Sequence, residues 1–348
     1  MKISEPHQYI DRDTGEVRDE HLYQDRLIRW LYHPLREHAP SLFRAVVSQR
    51  MTRWLGMLNY DGRLASRLVG SRRFLRELGV DVTECVAPVE TLNTPRRIFE
   101  RQIRYWEHRP LPEDLNTVVS PADSRVLVGS FSNRSTLSIK GKFFSLDELL
   151  GWRAEWIARF VGGDFAVFRL TPEKYHYNHA PVSGVVVNYY EVEGCYHSCN
   201  PDAVVAVATP YSRNRRAVTL IDTDVPEGTG VGLVAMFEVV ALMIGGIVQS
   251  YCDHHYDNPR PIRPGMFLRR GQPKSLYRPG SSTDVLVFQP GRVEFAPDLL
   301  ANQSRPASSR FTHGFGQPLV ETDVKVRSLI ATRRPPGVAV DDATDTVE

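Results

Sequence analysis

The stretch GVGLVAMFEVVALMIGGIV, residues 230–248, decides the fold. It is nearly all apolar and as long as a membrane-spanning helix. Glu238 stands at its middle, however, where a carboxylate in hydrocarbon is expensive. Glycines and β-branched residues crowd its second half. The stretch therefore reads as two adjoining buried strands with a bend at Gly245-Gly246. Short runs of the same character lie outward from it: VLVGSF (126–131), FAVFRL (165–170), GVVVNYYEV (184–192), AVVAVA (203–208), AVTLID (217–222) and VLVFQ (285–289). Pro, Gly, Asn and Asp separate them, as turns require. A single helix is expected among them, at about residues 145–160. Many strands without alternating helices predict an α+β protein whose β-rich part has antiparallel or mixed sheets, not a doubly wound one.

The first hundred residues read as helical. Within 41–58 the apolar positions Leu42, Phe43, Val46, Val47, Met51, Trp54 and Leu55 recur at helical spacing, with Arg44, Arg50 and Arg53 elsewhere. Such a basic amphipathic helix can pack on its own domain or lie in an anionic membrane interface. Division is expected into a helical region (1–115), a β-rich domain (116–330) and a disordered acidic tail (331–348). The opening MKISEPHQYIDRDTGE has no apolar core behind a basic end, so no secretory signal is expected.

Composition sets the outer bounds. The 348 residues are 42% hydrophobic and 24% charged, which is globular and excludes disordered or fibrous classes. A net charge of +2 is too balanced for a protein whose whole surface grips nucleic acid. The basic runs RNRR (213–216) and RRGQPK (269–274) lack interleaved aromatics and read as solvated loops, or as charges near a phosphate headgroup. Four cysteines fit a reducing compartment. Cys195, His197, Cys199, Cys252, His254 and His255 include metal-ligand types, but their spacing is loose and no metal is expected.

Three segments hold groups that could react: SPADS (120–124), YHYNHAPVSG (175–184) and RRGQPKSLYRPGSST (269–283). They bring an Asp, two His and a Ser cluster, the material of a nucleophile, a base and an orienting acid. Alone, such a set is common in any chain of this length.

Four motifs in order make it specific. Ser120-Pro121-Ala122-Asp123, Lys140-Gly141-Lys142-Phe143-Phe144-Ser145-Leu146, Tyr175-His176-x-x-His179-x-Pro181-Val182-x-Gly184, and Gly280-Ser281-Ser282 after Arg270-Gly271-Gln272 and Tyr277 together resemble the phosphatidylserine decarboxylase family, over roughly residues 40–300. Departures from the family pattern are Ser124, Pro273, Ser275 and Gly246. None removes a reacting group.

The resemblance implies a self-processing enzyme. His179 would be the base and Asp123 the acid that orients it, so that Ser281 attacks the Gly280 carbonyl. Elimination from the resulting ester would split the precursor after Gly280 into β and α chains, and hydrolysis of the dehydroalanine left behind would yield a covalent pyruvoyl group where Ser281 stood. That group would form a Schiff base with phosphatidylserine, releasing CO2 and phosphatidylethanolamine, with His176 returning the proton. The implied partners are phosphatidylserine and an anionic membrane surface, with peripheral attachment in the cytoplasm and a possible homodimer. Alternatives are decarboxylation of a free aromatic amino acid and an unprocessed lipid-binding homologue.

Overall fold

A computed structural model describes residues 6–22, 25–48, 79–131, 143–242, 246–279 and 282–335. Sixteen strands run through the described residues. They are β1 (Gln8–Asp11), β2 (Val17–Asp19), β3 (Thr117–Val119), β4 (Ser124–Ser130), β5 (Asp164–Leu170), β6 (Tyr177–His179), β7 (Gly184–Val192) and β8 (Arg216–Asp222). Then come β9 (Leu233–Val240), β10 (Ile247–Gln249), β11 (Phe267–Leu268), β12 (Pro273–Tyr277), β13 (Ser282–Phe288), β14 (Val293–Phe295), β15 (Glu321–Val324) and β16 (Leu329–Arg333). Ten form one sheet in the order β11-β7-β8-β9-β13-β5-β4-β15-β1-β2. Two sheets of three accompany it, β10-β12-β6 and β14-β16-β3. Pairing is antiparallel except between β1 and β15. The α+β class with a mixed sheet is thus the observed one.

The middle of the large sheet, β4, β5, β8, β9 and β13, is buried on both faces, which is why these strands read as apolar runs. In β9, Ala235, Phe237 and Val239 enter one core while Val234 and Met236 enter the other. Glu238 interrupts the second row and is fully buried. The 230–248 stretch is two strands in different sheets, β9 and β10. No helix of the described residues is long and apolar enough to cross a membrane.

Four expectations change. AVVAVA is not a strand: Pro201–Ala206 is a helix. Asn200 caps it by accepting from the Asp202 amide at 3.0 Å, and Pro201 fills the first helical position. A strong start signal there outweighs the β-branched valines. The helix at 145–160 is two short helices, Leu146–Leu149 and Ala154–Phe160, parted where Gly151 and Trp152 both take positive φ. The first hundred residues contain helices at Asp25–Trp30 and Pro40–Val46, yet begin with a hairpin, β1–β2, that joins the main sheet through β15. The start of the predicted tail, 331–333, belongs to β16, and 336–348 lie outside the described residues.

Of the amphipathic 41–58 segment, Phe43 and Val47 pack with Tyr32, Leu35 and Leu242. Leu27, Trp30 and Leu42 stay exposed. Arg50, Met51, Arg53, Trp54 and Leu55 lie outside the described residues. The basic runs also differ from expectation. Arg216 and Arg270 are buried, their guanidinium groups spent on backbone carbonyls of Leu149, Ser212 and Asn214 and of Pro112, Asp114 and Thr117. A buried guanidinium needs all its donors met, and carbonyls do this without a counter-charge.

Candidate active site

The small sheet β10-β12-β6 carries His179, and His176 stands one residue before β6. His179 ends β6, pairing with Pro273 of β12, and is fully buried. Its Nδ1 lies 2.8 Å from the Gly271 carbonyl and its Nε2 lies 3.0 Å from the Tyr175 hydroxyl. A carbonyl can only accept, so Nδ1 carries the proton and Nε2 is the accepting atom. Gly271 has φ +77°, and a Cβ there would stand 2.8 Å from the Leu111 side chain. The turn that aims this carbonyl therefore needs glycine.

His176 is also fully buried, stacked on Phe99 with ring centroids 3.6 Å apart. Its Nδ1 donates to the Lys174 carbonyl at 2.7 Å, leaving Nε2 buried and without a partner. Burial pushes both imidazoles down to about 3, with Arg101 adding to the effect at His176 and the carbonyl bonds opposing it. Both rings are neutral bases at ordinary pH.

Asp123 sits at the start of β4, but its bonds go elsewhere. Arg109 binds both its oxygens, Nε to Oδ1 at 3.1 Å and Nη2 to Oδ2 at 2.9 Å, and the Val326 amide donates to Oδ1 at 2.7 Å. Arg109 also holds Glu84. Burial alone would raise the Asp123 carboxyl; the guanidinium prevails and holds it at about 2. Asp123 thus makes no hydrogen bond to His179. The bond that fixes the tautomer comes from Gly271, and Asp123 reaches His179 and His176 only through its field. Gly280 and Ser281 lie outside the described residues, as do Lys140, Gly141 and Lys142.

The structure adds residues without an assigned role in the sequence reading. Tyr175 was visible only as a motif letter, and Arg109 had no local signal at all. Beneath β12 lies a second polar group. Glu238 meets Lys274 Nζ at 2.7 Å, Gln249 Nε2 at 2.7 Å, the Ser275 hydroxyl and, at 3.3 Å, Asn178 Nδ2. Asp284 of β13 is the direct cross-strand partner of Glu238. Only Glu238 had announced itself, as a charge in an apolar run.

The six Cys and His residues of possible ligand type do not gather. Among the described residues the one set of three candidate donors is His7, Glu20 and Glu321. There the Arg169 guanidinium already binds both carboxylates.

Buried neutral imidazoles with fixed tautomers, set beside a carboxylate whose charge is secured, are the equipment of an enzyme that moves protons. The phosphatidylserine decarboxylase family model matches residues 96–313, and the chain belongs to that family. It is 26% identical over 309 residues to a phosphatidylserine decarboxylase proenzyme of Fusobacterium nucleatum, covering 88% of this chain and 95% of that one. A proenzyme of the same name from Chlamydia trachomatis is 27% identical over 318 residues, with 88% and 95% covered. Phosphatidylserine decarboxylase proenzyme 2 of Oryza sativa is 31% identical over 229 residues, 65% of this chain and 34% of its own.

Proposed function

We propose that this chain cleaves itself between Gly280 and Ser281 and decarboxylates phosphatidylserine to phosphatidylethanolamine. The observation that carries the reading is the tautomer of His179, fixed by Gly271 in the turn that leads to the cleavage segment. The Tyr175 hydroxyl, which holds Nε2 of His179, gives way by turning its hydrogen to the Tyr256 hydroxyl, and Nε2 accepts the Ser281 hydroxyl proton as that oxygen attacks the Gly280 carbonyl. Asp123, kept ionised by Arg109, stabilises the imidazolium that forms. Gly271 keeps the ring from turning.

The pyruvoyl group derived from Ser281 supplies a ketone that takes the substrate amine and draws off the electrons left by CO2. The surroundings suit it: Ser282 Oγ, on the next residue, and His176 Nε2 are both buried and unpartnered. His176 takes a proton at Nε2 and returns it to the substrate carbon that has lost CO2. Strand β13 holds the new α chain in place, since it lies between β9 and β5 with seven register pairs on each side. The exposed Leu27, Trp30 and Leu42 favour peripheral docking on an anionic bilayer at its cytoplasmic face.

Intact mass of the purified protein tests this. Two chains are expected, the shorter being the 68 residues after Gly280 with a blocked N-terminus. Ser281→Ala is expected to stay whole and inactive, and His179→Ala and Asp123→Ala to mature far more slowly while still folding. A short fragment from Ser281→Ala overturns the cleavage site, and normal processing of both others overturns the triad. Liposomal phosphatidylserine is then assayed against free aromatic amino acids; turnover of the latter alone overturns the lipid substrate.

A further inference from the structure

Four buried side-chain atoms in this part of the molecule have no partner: His176 Nε2, Asn178 Oδ1, Ser282 Oγ and Asp284 Oδ2. All four residues are fully buried. Bare polar atoms at such depth are rare in a folded protein and mark a place for a ligand or water. The strands that carry them are neighbours. Asn178 pairs with Ser275 of β12, and its Nδ2 reaches Glu238, the cross-strand partner of Asp284. That bond also fixes the amide's orientation, since a carboxylate can only accept, so Oδ1 is the bare atom. The Tyr277 amide donates to the His176 carbonyl while its hydroxyl touches Asp284. Ser282 lies two residues before Asp284, on the same face of β13.

The Tyr277 hydroxyl donates to Asp284 Oδ1 at 2.7 Å and lies 3.1 Å from the Thr283 carbonyl. Its single proton is spent between these two acceptors. Lys274 pairs with Glu238. Burial and the charge of Glu238 together push the Asp284 carboxyl well above the ordinary range. With Oδ1 occupied by Tyr277, Oδ2 is the acceptor left bare.

The geometry points to an ammonium subsite: Asp284 Oδ2, Asn178 Oδ1 and His176 Nε2 receive the three hydrogens of the substrate's primary ammonium group, with the Ser282 hydroxyl beside them. Three bare acceptors match three donors. The N–H bond to His176 breaks, Nε2–H forms, and the amine is left with a lone pair for the ketone. Asn178 and Asp284 thereby become specificity residues for a primary amine. This rests on the function proposed above.

Hydroxylamine, an uncharged nucleophile, reads the ketone without needing the subsite. The mature protein is treated with it, and the mass of the adduct on the short chain is followed. Two quantities are then measured: KM for phosphatidylserine vesicles, and the ethanolamine concentration that halves hydroxylamine capture. Asp284→Leu and Asn178→Ala are expected to raise both at least tenfold, with hydroxylamine capture within about twofold of the unaltered protein. Asp284→Asn keeps the Tyr277 bond through its oxygen and turns its Nδ2, a donor, toward the ammonium, so both quantities should rise at least as much as in the leucine variant. Unchanged values in Asp284→Leu and Asn178→Ala overturn the subsite, as does an Asp284→Asn variant that behaves like the unaltered protein. If Asp284→Leu does not fold, Asn178→Ala and Asp284→Asn decide alone. Absence of any adduct in the unaltered protein refutes the ketone instead, which is a separate failure.

Discussion

Two buried clusters of charge hold the same kinds of group and differ in how completely they are satisfied. In the first, Arg169 lies between Glu20 and Glu321, with His7 2.9 Å from Glu321. Each oxygen of both carboxylates has a partner there. In the second, Glu238 is equally saturated, but Asp284, Asn178 and Ser282 each keep a bare atom. A saturated cluster uses its bonding capacity to hold chain segments together. Here it ties the loop after β2 and the residue before β1 to β5 and β15. An unsaturated cluster has capacity left for something that arrives later.

The sharpest way to break that comparison is to remove one group from each. Arg169→Met leaves two carboxylates buried against each other, and loss of one partner from a buried pair costs about 3–5 kcal/mol. Urea unfolding should show a loss of that size, with self-cleavage normal in whatever remains folded. Asp284→Leu removes one bare oxygen and one hydrogen bond, from a Tyr277 hydroxyl that keeps the Thr283 carbonyl as acceptor, so its stability should change by about 1 kcal/mol or less. A larger loss at Asp284 than at Arg169 would make the second cluster the structural one.

Acid separates the two by sign. Burial opposes the charge of Glu321, but Arg169 and His7 overcome it and draw its pKa from 4.5 to about 2. A depressed pKa contributes stability that is present above 4.5 and lost as pH falls through 2. A shift of that size corresponds to about 3 kcal/mol. Glu321→Gln should flatten the acid limb between pH 4.5 and 2 and lower stability at pH 7. Asp284 has the opposite sign. Its folded pKa is raised, so its contribution is full below 3.8 and shrinks as pH rises. Asp284→Asn, already neutral, should therefore be the more stable form at pH 7. Denaturant midpoints across pH 2–8 check both; equal slopes for the two variants would erase the distinction.

Much of this arrangement was legible in the chain, and what was not has physical reasons. The strands around β9 and β13 were legible because a sheet buried on both faces needs unbroken apolar runs. The histidines and Asp123 stood in motifs. Their bonds did not, because partners such as Gly271 and Arg109 are distant in sequence and adjacent only after folding. Lys274 lies 36 residues from Glu238 and looked like one more charge in a basic run. The β1–β2 hairpin was hidden for the same reason: its partner β15 lies more than 300 residues away.

The misread AVVAVA segment supplies the smallest expected effect. Valines favour strand, yet Asn200 and Pro201 set a helix start, and a cap contributes about 1 kcal/mol. Asn200→Ala removes the bond to the Asp202 amide and a second one, 3.2 Å long, to Asp25. Asn200→Ser keeps an oxygen for the amide and loses only the link to Asp25. If the cap decides, the alanine variant should lose about 1 kcal/mol in urea and the serine variant a few tenths. Equal losses would assign the effect to Asp25, making the helix a consequence of packing against Asp25–Trp30 and leaving the valines' preference overruled by tertiary contact alone.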